Sequence, residues 1–238
     1  MSISWIGVRS VGLLGTLAMA ATAGSALAQN GFTYVKATAN IFGYGLSTPQ
    51  PGGGGGGTLA NVIALNGGTG RIAAFSSGGQ AGWAGGNDNG PDGGTFSSTT
   101  NIGAVGPISG YNGPLSGQLV GVFIEAGDIS ALSAPGGMSY PDLASYTAAS
   151  YAPGLRQVFY IGDGKTGTGS GAVQGFYVPD GAAYLVLGIA DAFGFNADAG
   201  YYDDNVGGYE TSYVIVPAPA AASILGLAGL LAARRRRA

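Results

Sequence analysis

Short apolar segments, separated by glycine, proline, asparagine and aspartate, recur along the middle of the chain. They are rich in β-branched and aromatic residues, which is typical of strands bounded by turns. The best candidate for a helix is the short segment Pro141–Tyr151. The pattern therefore predicts an all-β fold, an antiparallel sandwich or barrel. The predicted strands are Phe32–Ala37, Leu59–Leu65, Arg71–Phe75, Leu119–Glu125, Gln157–Ile161, Ala172–Val178, Tyr184–Ile189 and Tyr209–Val216.

Glycine is concentrated between these segments, and its 48 copies in 238 residues compare with an average usage of about 7%. No collagen-like period is present, so the glycines indicate turns and loops. We interpret the run PGGGGGG, residues 51–57, as a flexible loop or linker, since no Gly-Lys-Ser/Thr follows it as in a phosphate-binding loop. In the second glycine-rich stretch, residues 76–94, we interpret Trp83 as a core residue rather than one that stacks on a partner.

The first 28 residues have the three parts of a secretory signal peptide. Arg9 precedes an apolar stretch, and small residues at Ala26 and Ala28 form a cleavage site before Gln29. A permanent membrane anchor is the alternative, but the apolar run is short for a bilayer of roughly 30 Å. The sequence predicts export.

The last 22 residues combine a proline-containing spacer, an uncharged stretch from Ala220 to Ala233 and a cluster of four arginines. As a helix this stretch rises only about 21 Å, so it would span a membrane only with the spacer included, leaving the arginines on the cytoplasmic side. The arginines are Arg234, Arg235, Arg236 and Arg237.

The order of Val216, Pro217, Ala218 and Pro219, a short apolar helix and an arginine cluster resembles the PEP-CTERM sorting signal of Gram-negative bacteria. This resemblance implies recognition of the tail by an exosortase, a membrane enzyme similar to transpeptidases, and an association with exopolysaccharide or biofilm production. One departure is Ala218, which stands where the family's Pro-Glu-Pro core has glutamate. The implied location is the cell envelope, the outer surface or the extracellular matrix, with transient or permanent anchoring in the inner membrane.

Charge is scarce and unevenly distributed. All 12 acidic residues lie between the two ends, where only Lys36, Arg71, Arg156 and Lys165 are basic. This balance argues against nucleic acid as a partner, because phosphate binding requires lysine and arginine. The chain has no histidine and no cysteine, which excludes Ser-His-Asp triads, cysteine nucleophiles, disulfides and the usual zinc sites. Among metals, ions that prefer oxygen ligands remain, calcium above all.

Five acidic residues are clustered in DAFGFNADAGYYDDNVGGYE, residues 191–210. They could form the solvated turn of a hairpin, since Asp, Asn and Gly are common in turns. Alternatively they could supply oxygen ligands to calcium, although the spacing is not that of an EF-hand. The five are Asp191, Asp198, Asp203, Asp204 and Glu210.

The region 61–216 resembles the PA-I-like galactophilic calcium lectins. The strand that ends at Asp191, followed by YYDDNVGGY, is similar to the family's final pair of strands, and GRIAAFSS, NGPDGG, LVGVFI, VFYIGDG and FYVPDG are similar to upstream parts. The resemblance implies a calcium site with carboxylates from Asp191 and Asp204, the Tyr201 carbonyl and the side-chain oxygen of Asn205. It also implies a further carbonyl near Gly79–Trp83, and a sugar held through the calcium by Asp191, Tyr201, Asp204 and Asp92.

The leading hypothesis is an exported, non-enzymatic protein that binds calcium and, through it, an extracellular polysaccharide or glycan. One rival is a structural matrix or envelope protein with a degenerate site. Another is a glycosidase with a carboxylate pair, either Glu125 with Asp128 or Asp163 with Asp180. The predicted organisation is a signal peptide (1–28), an N-terminal strand and glycine-rich linker (29–58), a galactose-binding or jelly-roll type sandwich (59–216) and a sorting tail (217–238).

Overall fold

The structure, a computed structural model, describes residues 28–44, 54–86 and 89–218. Two predicted segments lie outside these residues: the signal helix with Ala26, and the tail from Pro219 onwards. Within the described ranges, no helix is long and apolar enough to cross a membrane. The predicted arginine cluster of the sorting tail also lies outside the described residues, and its members are Arg234, Arg235, Arg236 and Arg237.

The described residues form strands joined by turns and three short 3-10 helices, so the all-β prediction is confirmed. The 3-10 helices are Ile41–Gly43, Leu143–Thr147 and Phe193–Phe195. The strands are β1 Gln29–Lys36, β2 Ala39–Asn40, β3 Thr58–Leu59, β4 Asn61–Ala64, β5 Arg71–Gly82, β6 Thr100–Ile102, β7 Tyr111–Gly113, β8 Leu119–Glu125, β9 Ser150–Tyr151, β10 Val158–Tyr160, β11 Lys165–Gly167, β12 Ser170–Val173, β13 Gly175–Val178, β14 Ala182–Ile189 and β15 Val206–Pro217.

Two larger sheets organise the described strands. One has the order β1-β15-β5-β13-β9, and the other has the order β10-β8-β14-β2-β3, with β4 also paired to β14. β11 pairs with β12 and β6 pairs with β7 in two small hairpin sheets. Side chains from both larger sheets share one buried cluster. The rings of Phe159 on β10 and Phe176 on β13, for example, lie 5.5 Å apart between centroids.

The burial of each strand follows from its place in the sheet. β8, with the sequence LVGVFIE, is buried at every position but the last, as a central strand covered on both faces should be. β1 is an edge strand in which most residues alternate between half-buried and exposed. A continuous apolar run therefore marks the centre of one sheet, whereas alternation marks the edge of the other.

The sheets are mixed, which corrects the prediction of a purely antiparallel arrangement. β13 pairs with β9, β14 with β2 and β2 with β3 in parallel. Each of these pairings involves a two-residue strand. These short strands lie within long connections and are not joined to their partners by hairpins, so no tight turn requires an antiparallel direction.

The structure also corrects the prediction of a helix over Pro141–Tyr151. Its centre forms only the 3-10 helix Leu143–Thr147, and its end, Ser150–Tyr151, is strand β9. Asp142 caps the 3-10 helix by accepting a hydrogen bond of 2.9 Å from the Ser145 N–H. A segment this short gains little from helical propensity, so pairing of its last two residues with β13 determines their conformation.

The N-terminal segment and the beginning of the predicted tail both belong to the first sheet. β1 pairs with β15 from Gln29 opposite Ile215 to Lys36 opposite Gly208. β15 itself continues through Val216 and Pro217, and the following Ala218 N–H donates to the carbonyl of Gly70. Three residues of the predicted sorting motif are therefore part of the folded sheet or packed against it.

Candidate functional site

The candidate site lies where β14 of one sheet ends and β15 of the other begins. Asp191 follows the end of β14, and Asn205 precedes the first residue of β15. Tyr202 lies three residues before Asn205 and is hydrogen-bonded to the end of β14. Its buried hydroxyl accepts the Asp191 N–H (3.1 Å) and donates to the Ile189 carbonyl (2.9 Å). Burial, followed by the charge of Asp191, raises the pKa of the Tyr202 hydroxyl well above 10, so it stays protonated and can donate.

The loop between these two positions is closed at its base. The Gly200 N–H donates to the Asp191 carbonyl at 3.0 Å, and Ala192 and Ala199 form an antiparallel bridge. Between them lies the 3-10 helix Phe193–Phe195, whose last residue donates its N–H to the Ala192 carbonyl at 2.9 Å. The segment between Asp191 and Tyr201 is thus a tight, internally bonded loop.

Asp191 and Asn205 are in direct contact. The Asn205 side-chain amide donates to Asp191 Oδ2 at 2.6 Å and to the Ala37 carbonyl at 3.1 Å. Both partners are acceptors, so the amide nitrogen must face them and Asn205 Oδ1 must point away. The other carboxylate oxygen of Asp191 accepts the Ala192 N–H at 2.7 Å.

Asp191 is buried, and it has no ion pair with a basic side chain of the described residues. Only 3% of its surface is exposed, and burial raises its pKa to about 7, with the nearby charge of Asp204 acting in the same direction. The hydrogen bonds from Asn205 and Ala192 favour the ionised form but do not outweigh desolvation. A carboxylate in this state gains when a cation binds beside it.

Asp191, Tyr201, Asp204 and Asn205, the four predicted metal ligands, line one cavity of about 270 Å³. Its other walls are mainly aromatic. The lining residues are completed by Trp83, Ala84, Phe96, Ala192, Phe193, Gly194 and Phe195. Trp83 is 2% exposed and packs edge-on against Phe195 at 5.5 Å, so the interpretation of Trp83 as a core residue is confirmed.

Backbone strain is concentrated at this cavity. Among the described residues, the non-glycine residues with positive φ are Ala84 (48°), Arg156 (62°), Phe195 (60°) and Tyr201 (65°), and all but Arg156 line the cavity. A left-handed conformation costs an L-residue of order 1–2 kcal/mol. The surrounding fold therefore holds these walls in place against their intrinsic preference.

The four predicted ligands would give a calcium ion only part of its shell of oxygens. Two carboxylates, one amide oxygen and the Tyr201 carbonyl could supply about four of the six to eight oxygens that calcium takes, with water or hydroxyl groups as the remainder. Within the described ranges, no group of three or more Asp or Glu residues is placed to hold a metal. In the range Gly79–Trp83 expected to give a further carbonyl, residues 79–82 pair with β15, and only Trp83 lines the cavity.

Asp203, which the sequence left unassigned, holds part of the glycine run. Its Oδ1 accepts the Gly57 N–H at 3.0 Å, and its own N–H donates to the Gly54 carbonyl at 3.2 Å. Gly54, Gly55 and Gly57 all have positive φ, and a Cβ added at Gly55 would lie 1.9 Å from Asp203 Oδ2. Residues 54–57 are therefore a strap that is hydrogen-bonded to the Tyr201–Asp203 loop, whereas residues 51–53 of the predicted flexible loop or linker lie outside the described residues.

The structure does not bring Asp92, the other predicted sugar ligand, to the cavity. Asp92 is 7% exposed, and its Oδ1 accepts the Tyr160 hydroxyl at 2.7 Å and the Asp163 N–H at 2.8 Å. Asp163 in turn accepts the backbone N–H groups of Lys165 (2.8 Å) and Gly169 (2.7 Å). These bonds fix the turn between β10 and the β11–β12 hairpin, which is a structural role.

The other proposed catalytic acids are also engaged elsewhere. Glu125 forms an ion pair of 3.0 Å with Arg156. Asp128 accepts the Ser130 N–H at 2.9 Å, and this hydrogen bond lowers its pKa. Asp180 lies close enough to the buried Arg71 to raise the pKa of that guanidinium, although burial lowers it more. None of these residues lines the cavity.

Sequence reasoning missed the aromatic walls. Phe96, Phe193 and Phe195 lie in glycine- and polar-rich stretches that were assigned to loops. Two phenylalanines in AFGF, directly after a predicted ligand, were the available signal. No family model, no curated protein and no solved structure matches the chain, so the interpretation of the cavity depends on its own residues.

Proposed function

We propose that this chain is an exported, surface- or matrix-associated protein that binds calcium at Asp191, Tyr201, Asp204 and Asn205 and holds a sugar of an extracellular polysaccharide or glycan beside the ion. One observation carries the proposal: four residues chosen from the sequence line a single cavity with aromatic walls. The site is for binding and not for catalysis.

Supporting chemistry comes from the buried carboxylate. Asp191 faces the cavity with a pKa raised by burial and with no lysine or arginine among the lining residues. A calcium ion would offset this desolvation, and sugar hydroxyls could complete its shell of oxygens. The open space beside the ligands distinguishes this site from a closed structural metal site.

The finer fold and the location are part of the same proposal. The buried cluster shared by both larger sheets supports their stacking as a sandwich of the galactose-binding or jelly-roll type. The N-terminal signal and the PEP-CTERM-like tail support export, exosortase recognition and anchoring through the C-terminal helix before processing.

Calcium titration of the full-length chain tests the function. We expect heat of binding and a rise in melting temperature, since a ligand present at 100 times its Kd stabilises the folded state by about 2.7 kcal/mol. Asp191→Ala and Asp204→Ala should abolish both signals. Asp198→Ala is the matched control, because Asp198 is an exposed acid of the same loop that does not line the cavity.

Absence of both signals in the unmodified chain, or an equal loss in all three variants, would overturn the proposal. If the chain binds calcium but no polysaccharide or glycan, the calcium site is structural and the sugar-binding part of the proposal is wrong.

A further inference from the structure

The aromatic residues that line the cavity form two groups by their ring contacts. The inner group is Trp83, Phe195 and Phe96, in which Phe195 contacts Trp83 at 5.5 Å and Phe96 at 6.1 Å, both edge-on. The outer group is Phe193 and Tyr201, whose ring centroids lie 5.0 Å apart with the planes inclined by 48°. Trp83 and Phe195 are buried, Tyr201 is half-buried, and Phe96 and Phe193 are 42% and 66% exposed.

Phe193 is the unusual member. It is 66% exposed, although a side chain of its size would gain about 2 kcal/mol from burial. Its backbone is held in the 3-10 helix by the Phe195–Ala192 and Asn196–Phe193 hydrogen bonds. The ring is therefore presented to solvent by an ordered turn and not by a frayed one.

Asn196 fixes this turn to the segment that follows Phe96. Its side-chain amide donates to Ser97 Oγ at 3.1 Å and to the Thr99 carbonyl at 2.9 Å, and its Oδ1 accepts the Thr99 hydroxyl at 3.0 Å. Ser97 follows Phe96 directly, so one side chain ties the two walls together. An aromatic surface pre-organised in this way loses little entropy when a ligand binds.

The charges at the cavity restrict what can bind there. Asp191 and Asp204 are acidic, and among the described residues that line the cavity there is no lysine or arginine. A bound calcium would only balance these two carboxylates, so the cavity offers no surplus positive charge to an anionic ring. Its volume of about 270 Å³ lies at the small end for ligand pockets, which suits one ring and not an extended oligosaccharide.

We propose that Phe193 and Tyr201 form a stacking platform for the apolar face of a single neutral sugar ring, and that this platform determines which ring the cavity accepts. The inference rests on the proposed function, because the hydroxyl edge of the ring then faces Asp191, Asp204 and the calcium. Uronic acids are disfavoured because the cavity has no surplus positive charge to offset the desolvation of their carboxylate. Terminal or branching residues of a polysaccharide are favoured over internal ones by the size of the cavity.

Intrinsic fluorescence of the cavity provides the test. Trp83 and Trp5 are the two tryptophans of the chain, so full-length Trp5→Phe leaves Trp83 as the single tryptophan at the site. The probes are the methyl glycosides of glucose, mannose and galactose, with glucuronic and galacturonic acid as anionic counterparts, all in calcium. We expect at least one neutral glycoside to change the Trp83 emission with an affinity about tenfold or more above that of its uronic acid.

Phe193→Ala should weaken the binding of that glycoside about tenfold, given the usual contribution of an aromatic contact, while Phe193→Tyr should retain it. The calcium-induced rise in melting temperature should be the same in both variants as in the parent. Phe32→Ala is the matched control, since Phe32 is 64% exposed on the edge strand β1 and does not line the cavity.

Equal sugar binding by Phe193→Ala and Phe32→Ala, or equal affinity for a glycoside and its uronic acid, would overturn the stacking platform. If the parent chain binds calcium but responds to none of the sugars, the stacking platform is overturned and calcium binding stands. If calcium does not raise the melting temperature of the parent chain, the proposed function itself is overturned.

Discussion

Asp92 and Asp191 are both almost completely buried, with 7% and 3% of their surfaces exposed, but their surroundings differ. Asp92 accepts the Tyr160 hydroxyl and the Asp163 N–H within a packed cluster of tyrosines, in which the rings of Tyr146 and Tyr160 stack at 4.0 Å. Asp191 also accepts two hydrogen bonds, but one side of it faces a cavity with strained walls.

Burial and hydrogen bonding alone therefore do not distinguish a structural carboxylate from one that can bind a ligand. The distinction comes from the space beside it, which Asp204 and Asn205 also line. At Asp92 the space is filled by protein groups that need the carboxylate for their own hydrogen bonds. At Asp191 the fold maintains an opening at a cost in backbone strain.

The largest expected effect is a pH dependence of stability that originates at Asp191. Its folded pKa of about 7 exceeds the ordinary value of 3.8, so the folded state binds the proton more tightly than the unfolded state. The stabilisation is complete below the ordinary value and is lost as the pH rises to the folded value. In calcium-free buffer the free energy of unfolding should fall by on the order of 4 kcal/mol across this window from this group.

Chemical denaturation of the chain and of Asp191→Ala at a series of pH values measures this contribution as the difference between the two curves. Calcium should reverse it, because the ion binds the deprotonated carboxylate. If the free energies of unfolding of the two proteins run parallel between about pH 4 and about pH 7, Asp191 ionises in the folded state at no cost in stability. The cavity would then have no effect on Asp191 that distinguishes it from Asp92.

The next largest effect is expected for Asp92→Ala, which should lower the free energy of unfolding by about 3 kcal/mol. The substitution leaves the Tyr160 hydroxyl and the Asp163 N–H without their acceptor. Asp191→Ala in calcium-free buffer at neutral pH should change stability by less than about 1 kcal/mol, since the loss of two hydrogen bonds is offset by removal of a buried charge. Thermal unfolding of the two variants compares them directly, and equal losses would contradict the assignment of different roles.

Much of the fold could be predicted from the sequence where side chains alone specify it. β8 coincides with the predicted Leu119–Glu125, and β14 begins two residues before the prediction. β5 extends seven residues beyond the predicted Phe75, through SSGGQAG. This glycine-rich extension has little strand propensity of its own, and it becomes a strand because β15 supplies backbone partners from Ser76 to Gly82.

The candidate site was likewise predictable only in part. Asp191, Tyr201, Asp204 and Asn205 were expected as ligands from the resemblance to the calcium lectins, and the structure brings them to one cavity. Asp92 was expected there as well, but contacts with Tyr160 and Asp163, distant in sequence, place it elsewhere. Such long-range contacts leave no local pattern, and neither do the aromatic walls.

The smallest expected effect concerns the strap that supports the cavity from below. Gly55 and Gly85 have nearly the same φ, +87° and +88°, but a Cβ at Gly55 would meet Asp203, whereas a Cβ at Gly85 would have nothing within 4 Å. Gly85→Ala therefore measures backbone strain alone, about 1 kcal/mol. Gly55→Ala must also displace the Asp203 side chain from the Gly57 N–H, which should cost about 1 kcal/mol more.

The same displacement should reach the cavity, because Asp203 lies between Tyr201 and Asp204 and the strap also accepts the Tyr202 N–H at the Gly55 carbonyl. Calcium affinity measured by titration should then fall in Gly55→Ala and remain unchanged in Gly85→Ala. If both variants lose the same stability and neither changes calcium affinity, the strap contributes nothing to the cavity, and the comparison with the self-contained Asp92 cluster would lose its structural basis.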